Sequence, residues 1–210
     1  QTAMSGLVTL SGADCSLICE NGVSLVGILV SGTRGYVDGG GWGTISLPAD
    51  GVIAIEVTGS DCKVENIAAH TTTGGAGSEA VFVKGGGDRS IIRDVKVIDS
   101  DATAINIQGD DCLTEGCLVL GADGAGIVQN APRGRVISNY IIATATEGIL
   151  LADAGDNSVL NSNLIKDAGG TTIQIAAVGE DCVAIGNRLD GALNDDSGTS
   201  TVANNEETAF

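Results

Sequence analysis

The chain is poor in the residues that most binding and catalytic sites rely on. Among 210 residues there are one His, one Trp, two Tyr, two Phe and two Pro. Ten Lys+Arg stand against 27 Asp+Glu, a net charge of −17. Such a field repels phosphate, so nucleic acid is not an expected partner. No apolar run approaches the roughly eighteen residues that a membrane-spanning helix needs. The start, Gln1-Thr2-Ala3-Met4, carries no charged-plus-apolar leader, and we expect a processed chain or a piece of something longer. No Gly-x-Ser-x-Gly, Walker-type loop or His-x-x-x-His occurs, and no cofactor or metal is expected.

What is abundant is glycine, 32 residues, and a repeat. An Asn or a stand-in recurs as Asn21, Asn66, Asp94, Gly116, Asn139, Asn163 and Asn187, with gaps of 45, 28, 22, 23, 24 and 24. In step with it run short β-branched segments that start at Ala54, Ala80, Ala104, Gly126, Gly148 and Thr172, spaced by 26, 24, 22, 22 and 24. A period in the twenties, with short strands between Gly, Asn and Asp turns, predicts an all-β solenoid. Strand starts at Leu7 and Ile28 bring the count to about eight coils, and Thr201-Val202 offers the start of a ninth. Alternation turns Ile105 with Ile107, and Ile173 with Ile175, to the inside. The Asn series is expected to stack as one inward ladder whose amides hydrogen-bond from coil to coil. This divides the chain into an extension over residues 1–6, the solenoid over 7–190 and an acidic cap or arm over 191–210.

Four of the six Cys follow Gly-x-Asp: Cys15, Cys62, Cys112 and Cys182. Equivalent positions separated by whole coils are read as standing too far apart for a disulfide, and no CxxC spacing suggests a metal. Cys62, Cys112 and Cys182 are therefore expected to be reduced, buried core residues, which points to assembly in a reducing cytoplasm.

The Asn-x-Ile/Leu recurrence, the Gly148-Ile149-Leu150-Leu151 strand and the Gly109-Asp110-Asp111-Cys112 turn resemble the right-handed parallel β-helix, the pectin-lyase-like superfamily, over about residues 6 to 190. The resemblance implies a single-stranded right-handed parallel β-helix. That fold serves polysaccharide lyases and hydrolases, adhesins, phage tailspikes and other virion appendages.

Three functions follow as expectations. The first is a non-catalytic structural or attachment protein of a phage virion: a spike, fibre segment or head decoration. It would be assembled in the host cytoplasm as a homotrimer with other virion proteins, with a host surface glycan as a further contact. The second is a polysaccharide lyase, hydrolase or tailspike depolymerase. Its acidic edge would be built from Asp14, Asp61, Asp88, Asp110, Asp111, Asp156 and Asp181, and Asp88, Asp110 and Asp111 would be the catalytic or cation-binding group. The same Asp residues also suit plain turn-capping. The third is a secreted adhesin. For partner or glycan contact the candidates are Arg34, Tyr36 and Trp42, in a Gly-rich loop over residues 32–43, and Phe210 at the end of the tail. His70 lies in Ala68-Ala69-His70-Thr71-Thr72-Thr73 with no carboxylate beside it in the sequence, and a surface loop is expected for it. Residues 199–204 are expected to add a closing strand and Phe210 to be buried.

Overall fold

Residues 7–20, 22–46, 53–70, 79–152, 155–176 and 181–207 are described in a computed structural model of the chain, the side chains of residues 42–46 excepted. Asn21, Phe210 and the side chain of Trp42 lie outside that description. Every element among the described residues is a strand, and every strand pair is parallel and in register apart from one irregularity. No helix there is long and apolar enough to cross a membrane.

Each coil has three faces. On the first face nine three-residue strands stack, from Val8–Leu10 through Ile28–Val30, Ile105–Ile107 and Ile149–Leu151 to Leu193–Asp195. Eight steps of about 4.8 Å make a rod of roughly 38 Å. In its central strands the outer two residues are buried and the middle one faces out. The second face runs through strands such as Ile91–Arg93, Leu113–Glu115 and Val159–Asn161, which reverse that pattern and bury only their middle residue. The third face carries longer strands, among them Lys96–Ser100, Leu118–Ala122, Tyr140–Thr144 and Leu164–Ala168. Ile28, Ile55, Ile92, Ile105, Ile127, Ile141, Leu160 and Ile165 are fully buried. β-branched residues suit this interior because they fill a narrow pleated column with little rotamer freedom to lose.

Two boundaries differ from expectation. The Gly-rich segment is mostly a strand, Tyr36–Ser46, with a bulge between Asp38 and Gly43. A Cβ on Gly39 would sit 2.3 Å from the Asn66 carbonyl, so glycine here permits direct backbone packing of one coil on the next. The composition that looked like a loop serves close approach instead. The tail also continues the solenoid. Leu193–Asp195 opens the ninth coil, Thr201–Ala203 pairs on the second face with Val183–Ile185, and Glu206–Glu207 pairs with Arg188–Leu189 on the third. Polar residues replace the buried ones there because nothing described covers the last coil, and its Val202 is 43% exposed. Thr201-Val202 is thus the second strand of the ninth coil rather than its first.

Candidate functional site

The turn between the first and second faces positions most of the Asp residues singled out above. Strand register places Asp14, Arg34, Asp61, Arg89, Asp111, Arg133, Asn157 and Asp181 one above another. All eight have φ between 53° and 59°. The sharp corner demands left-handed backbone, and Asp or Asn tolerates it best among residues with side chains. Aspartate and arginine alternate along this edge. Arg34 grips Asp14 through two hydrogen bonds of 2.6 and 2.7 Å, and Arg89 grips Asp61 through two of 2.7 Å. Arg133 grips Asp111 at 2.6 and 2.9 Å and reaches Asp110 at 3.2 Å. The guanidinium hydrogen bonds hold Asp14, Asp61 and Asp111 below the ordinary carboxylate range and raise each Arg.

From Asp14 to Arg133 the acidic edge expected from the sequence is therefore a ladder neutralised by arginine, whereas Asp181 stacks on Asn157 and Thr199. Asp88, Asp110 and Asp156 belong to a neighbouring column one residue earlier, where Asp88 accepts the Asp110 N–H at 3.0 Å. Among the described residues no group of three or more His, Cys, Asp or Glu could hold a metal ion. Of the three aspartates singled out as a cation or catalytic group, Asp110 and Asp111 pair with Arg133, and Asp88 lies one coil away and accepts the Asp110 N–H. Sequence reasoning followed Asp alone and passed over the alternating Thr33-Arg34-Gly35, Asp88-Arg89-Ser90 and Pro132-Arg133-Gly134 triplets.

One residue inward, the same corner carries Cys15, Gly35, Cys62, Ser90, Cys112, Gly134, Ser158, Cys182 and Ser200. Each Asp-Cys coil alternates with an Arg-Gly or Arg-Ser coil up to Arg133-Gly134, so the structural repeat at this edge is two coils. Cys62, Cys112 and Cys182 are unbonded and buried, and their thiols donate to the carbonyls of Gly32, Gly87 and Gly155 at 3.2–3.3 Å. Burial pushes the Cys112 thiol up to about 11, far from a reactive thiolate. At Gly134 the room that a Cβ would take holds the side chain of Gln129, which is wholly buried.

A second polar group lies on the outer second face. Tyr36 donates its hydroxyl to Glu65 at 2.7 Å, with Asp38 at 3.3 Å, and Lys63 pairs with Glu65 at 2.7 Å. The Glu65 hydrogen bond, first among several causes, raises the Tyr36 phenol to about 12. Asp38 is lowered by the Gly40 N–H and then by Asn66 and Tyr36. Burial raises Glu65, but Lys63 and Tyr36 outweigh it and the net shift is downward. Asp38 and Glu65 are stacked partners on adjacent coils and both accept from the Tyr36 hydroxyl, close together as a pair of carboxylates flanking a bond would have to lie. A general acid needs a raised carboxyl, and both of these are lowered. Arg34, the other candidate of this segment, turns to the ladder and not to Tyr36.

The third feature is a cleft of about 360 Å³ where the third face turns back towards the first. Asp99, Asp101, Asp123 and Asp167 line it, with Gly121 and Ala143 between them. Asp99, Gly121, Ala143 and Asp167 have φ of 49°, 87°, 57° and 53°, a second left-handed corner. His70 ends the strand Lys63–His70 at its rim, with Nε2 3.6 Å from Asp99 Oδ2. The expected loop His therefore has a carboxylate partner, one coil on and invisible to sequence neighbours. The cleft itself was missed, although Asp99-Ser100-Asp101 and Gly121-Ala122-Asp123 recur in step with the repeat.

These stacked corners and faces agree with comparison to known families, where a family described as right handed beta helix region matches residues 49–206, well over half of the chain. The chain belongs to the right-handed β-helix family. No curated protein and no solved structure matches it.

In this right-handed β-helix the Asn ladder forms the turn between the second and third faces. Asn139 donates both its N–H and its amide to Asn163 Oδ1 at 3.0 Å, and Asn163 donates likewise to Asn187 at 3.0 and 2.9 Å. Asn187 repeats the pattern on Asn205 at 2.9 Å, a rung that the sequence reading did not include. Asn139, Asn163 and Asn187 are buried. Asn66, Asp94 and Gly116 are not rungs. They occupy the position one residue earlier, with Ser138, Ser162, Gly186 and Asn204, at φ between 49° and 66°. Left-handed corners and side-chain ladders both favour Asn, so two adjacent columns looked like one. The rung position upstream holds Ile67, Val95 and Cys117, and Asn66 instead donates to Asp38 at 3.2 Å.

Proposed function

We propose that this β-helix is a non-catalytic structural or attachment protein of a phage virion, of the spike, fibre or head-decoration kind. On this reading it forms a homotrimer in the host cytoplasm and joins other virion proteins, with a host surface glycan as a further contact. The observation that carries the non-catalytic reading is the Asp–Arg ladder. Along the part of the edge from Asp14 to Arg133, where a depolymerase would place its carboxylates, Asp14, Asp61 and Asp111 are instead paired with arginine from the next coil and lowered, and Arg34, Arg89 and Arg133 are raised. The outer Tyr36 network supports it too, since its two carboxyls are held ionised and neither serves as an acid. Faces built from short strands in register give a stiff rod with repeating surfaces, which suits a spacer or an attachment platform.

The experiment is incubation of the purified protein with host capsule and lipopolysaccharide, followed by measurement of released chain ends. No release is expected, and the protein should be found in purified particles by peptide mass spectrometry. Cleavage that is lost in Asp123→Asn or Glu65→Gln would replace this reading with the depolymerase.

A further inference from the structure

The cations of this acidic chain are nearly all committed within it. Arg34, Lys63, Lys84, Arg89, Arg93 and Arg133 are held in ion pairs. Lys96, Lys166 and Arg188 engage other groups as well. Arg135 is the tenth basic residue and the exception. It is exposed, and among the described residues its side chain has no ion pair and no hydrogen bond. The nearest carboxylate on its face, Glu115, stands one coil below and diagonal to it and is taken by Arg93 at 2.7 Å.

The surroundings of Arg135 are apolar. On the outward side of the second face it stacks between Leu113 and Val159, and Ile91 and Val183 extend that column by one coil at either end. Ile137 is its outward neighbour in the same strand, and Ile185 lies two coils further along the second column, past Asn161. These six apolar side chains are half-buried. The lower half of the face has no such patch, because Tyr36, Lys63 and Glu65 pair with one another there. A guanidinium without a partner, set among apolar side chains, is the composition of an interface centre. Arginine suits that place because its planar fork is weakly hydrated and meets a carboxylate with two parallel hydrogen bonds.

We propose that this upper part of the second face docks a partner protein through an extended segment that presents one carboxylate between apolar side chains. This rests on the reading of the protein as one that joins other virion proteins, and it names the surface and the partner's chemistry. The carboxylate takes Arg135, and the apolar residues on either side of it cover Leu113 and Val159. From Ile91 to Val183 the column rises four steps of about 4.8 Å, roughly 19 Å, which about six residues of extended chain would cover. Alternate residues of such a segment face the rod about 7 Å apart, so the pattern apolar-x-acid-x-apolar meets the face. Arg135 repels a basic segment, and the net charge of −17 repels a generally acidic partner, so the carboxylate is a local one. A sugar chain fits less well. The aromatic of this face, Tyr36, stands four coils below Arg135 with its hydroxyl held by Glu65.

The test probe is the capped peptide acetyl-Val-Thr-Asp-Thr-Val-amide, titrated into the full chain and followed by NMR. It should shift the Arg135 Nε–H and the methyl groups of Ile137 and Val159. The same peptide with Asn for Asp should bind about tenfold more weakly or worse, and so should the Asp peptide to Arg135→Gln. That variant should fold and melt as the wild type does, since its side chain has no partner to lose. No binding at millimolar peptide, or equal binding of the Asn peptide, overturns the proposal. In purified particles, a benzophenone amino acid at position 161 should cross-link to another protein, at a stretch with Asp or Glu between apolar residues. A cross-link to a second copy of this chain or to glycan overturns it too. Absence of the protein from particles removes the virion reading instead, and the peptide titration then decides this face by itself.

Discussion

The Asn ladder makes a quantitative demand on the interior. Asn163 is buried, and its Oδ1 accepts two hydrogen bonds from Asn139 while its Nδ2 donates to the Val136 carbonyl and to Asn187. Asn163→Leu keeps the backbone bond to Asn187 but strands the Asn139 N–H and one of its two amide hydrogens in a buried corner, the other amide hydrogen staying on the Thr114 carbonyl. Each stranded buried donor costs about 1–3 kcal/mol, and the added apolar contact of leucine offsets part of this. We expect a loss of about 3 kcal/mol, read as a drop of roughly 6–12 °C in melting temperature. Urea unfolding and exchange at the Asn139 amide would measure it. A loss below about 1 kcal/mol, with that amide still protected, would refute the reasoning. Asn163→Asp supplies the pH arm. A carboxylate there would face two acceptors, the Val136 carbonyl and Asn187 Oδ1, so its folded pKa must rise above the unfolded value of about 3.9. Relative to the wild type, the variant should be most stable below about pH 4 and lose about 1.4 kcal/mol per pH unit above it, up to the folded pKa.

Two further outcomes follow from other columns. Thr114 is buried with no hydrogen-bond partner for its hydroxyl among the described residues, between Ile92 and Val136 in an apolar column. Thr114→Val should therefore stabilise the protein by about 1 kcal/mol in urea unfolding. The lowered Asp14, Asp61 and Asp111 contribute stability that is present above about pH 4 and is lost as pH falls through their depressed values. Replacing Arg34, Arg89 and Arg133 together by Gln should flatten the acid limb of the stability curve, and an unchanged limb would show that the ladder contributes nothing.

The fold was legible because a solenoid writes its geometry into a period, and Ile105-Asn106-Ile107 states its own alternation. The end of the solenoid was harder to read, because Leu193 and Val202 sit among residues whose outermost coil has little to bury against. Corners were legible as corners but not as columns. Asn66 and Asn139 are the same residue type doing different work, one holding a left-handed φ and the other stacking inside, and only strand register separates them. Pairs such as His70 with Asp99, or Arg133 with Asp111, join neighbouring coils more than twenty residues apart. The spacing of the repeat contains that information once every position in a coil is aligned, and following a single residue type discards it.

The Asp–Arg edge also constrains how a chain like this can change its length. Removing one coil from the lower part of the rod would set Arg above Arg or Asp above Asp, and would bring two Cys, or two of the small corner residues, into contact. Removing or duplicating two coils preserves both the alternation of sign and the alternation of volume. The edge therefore acts as a ruler graduated in pairs. Relatives that keep it should differ by even numbers of coils, and engineered rods should tolerate added length in steps of about fifty residues rather than twenty-five.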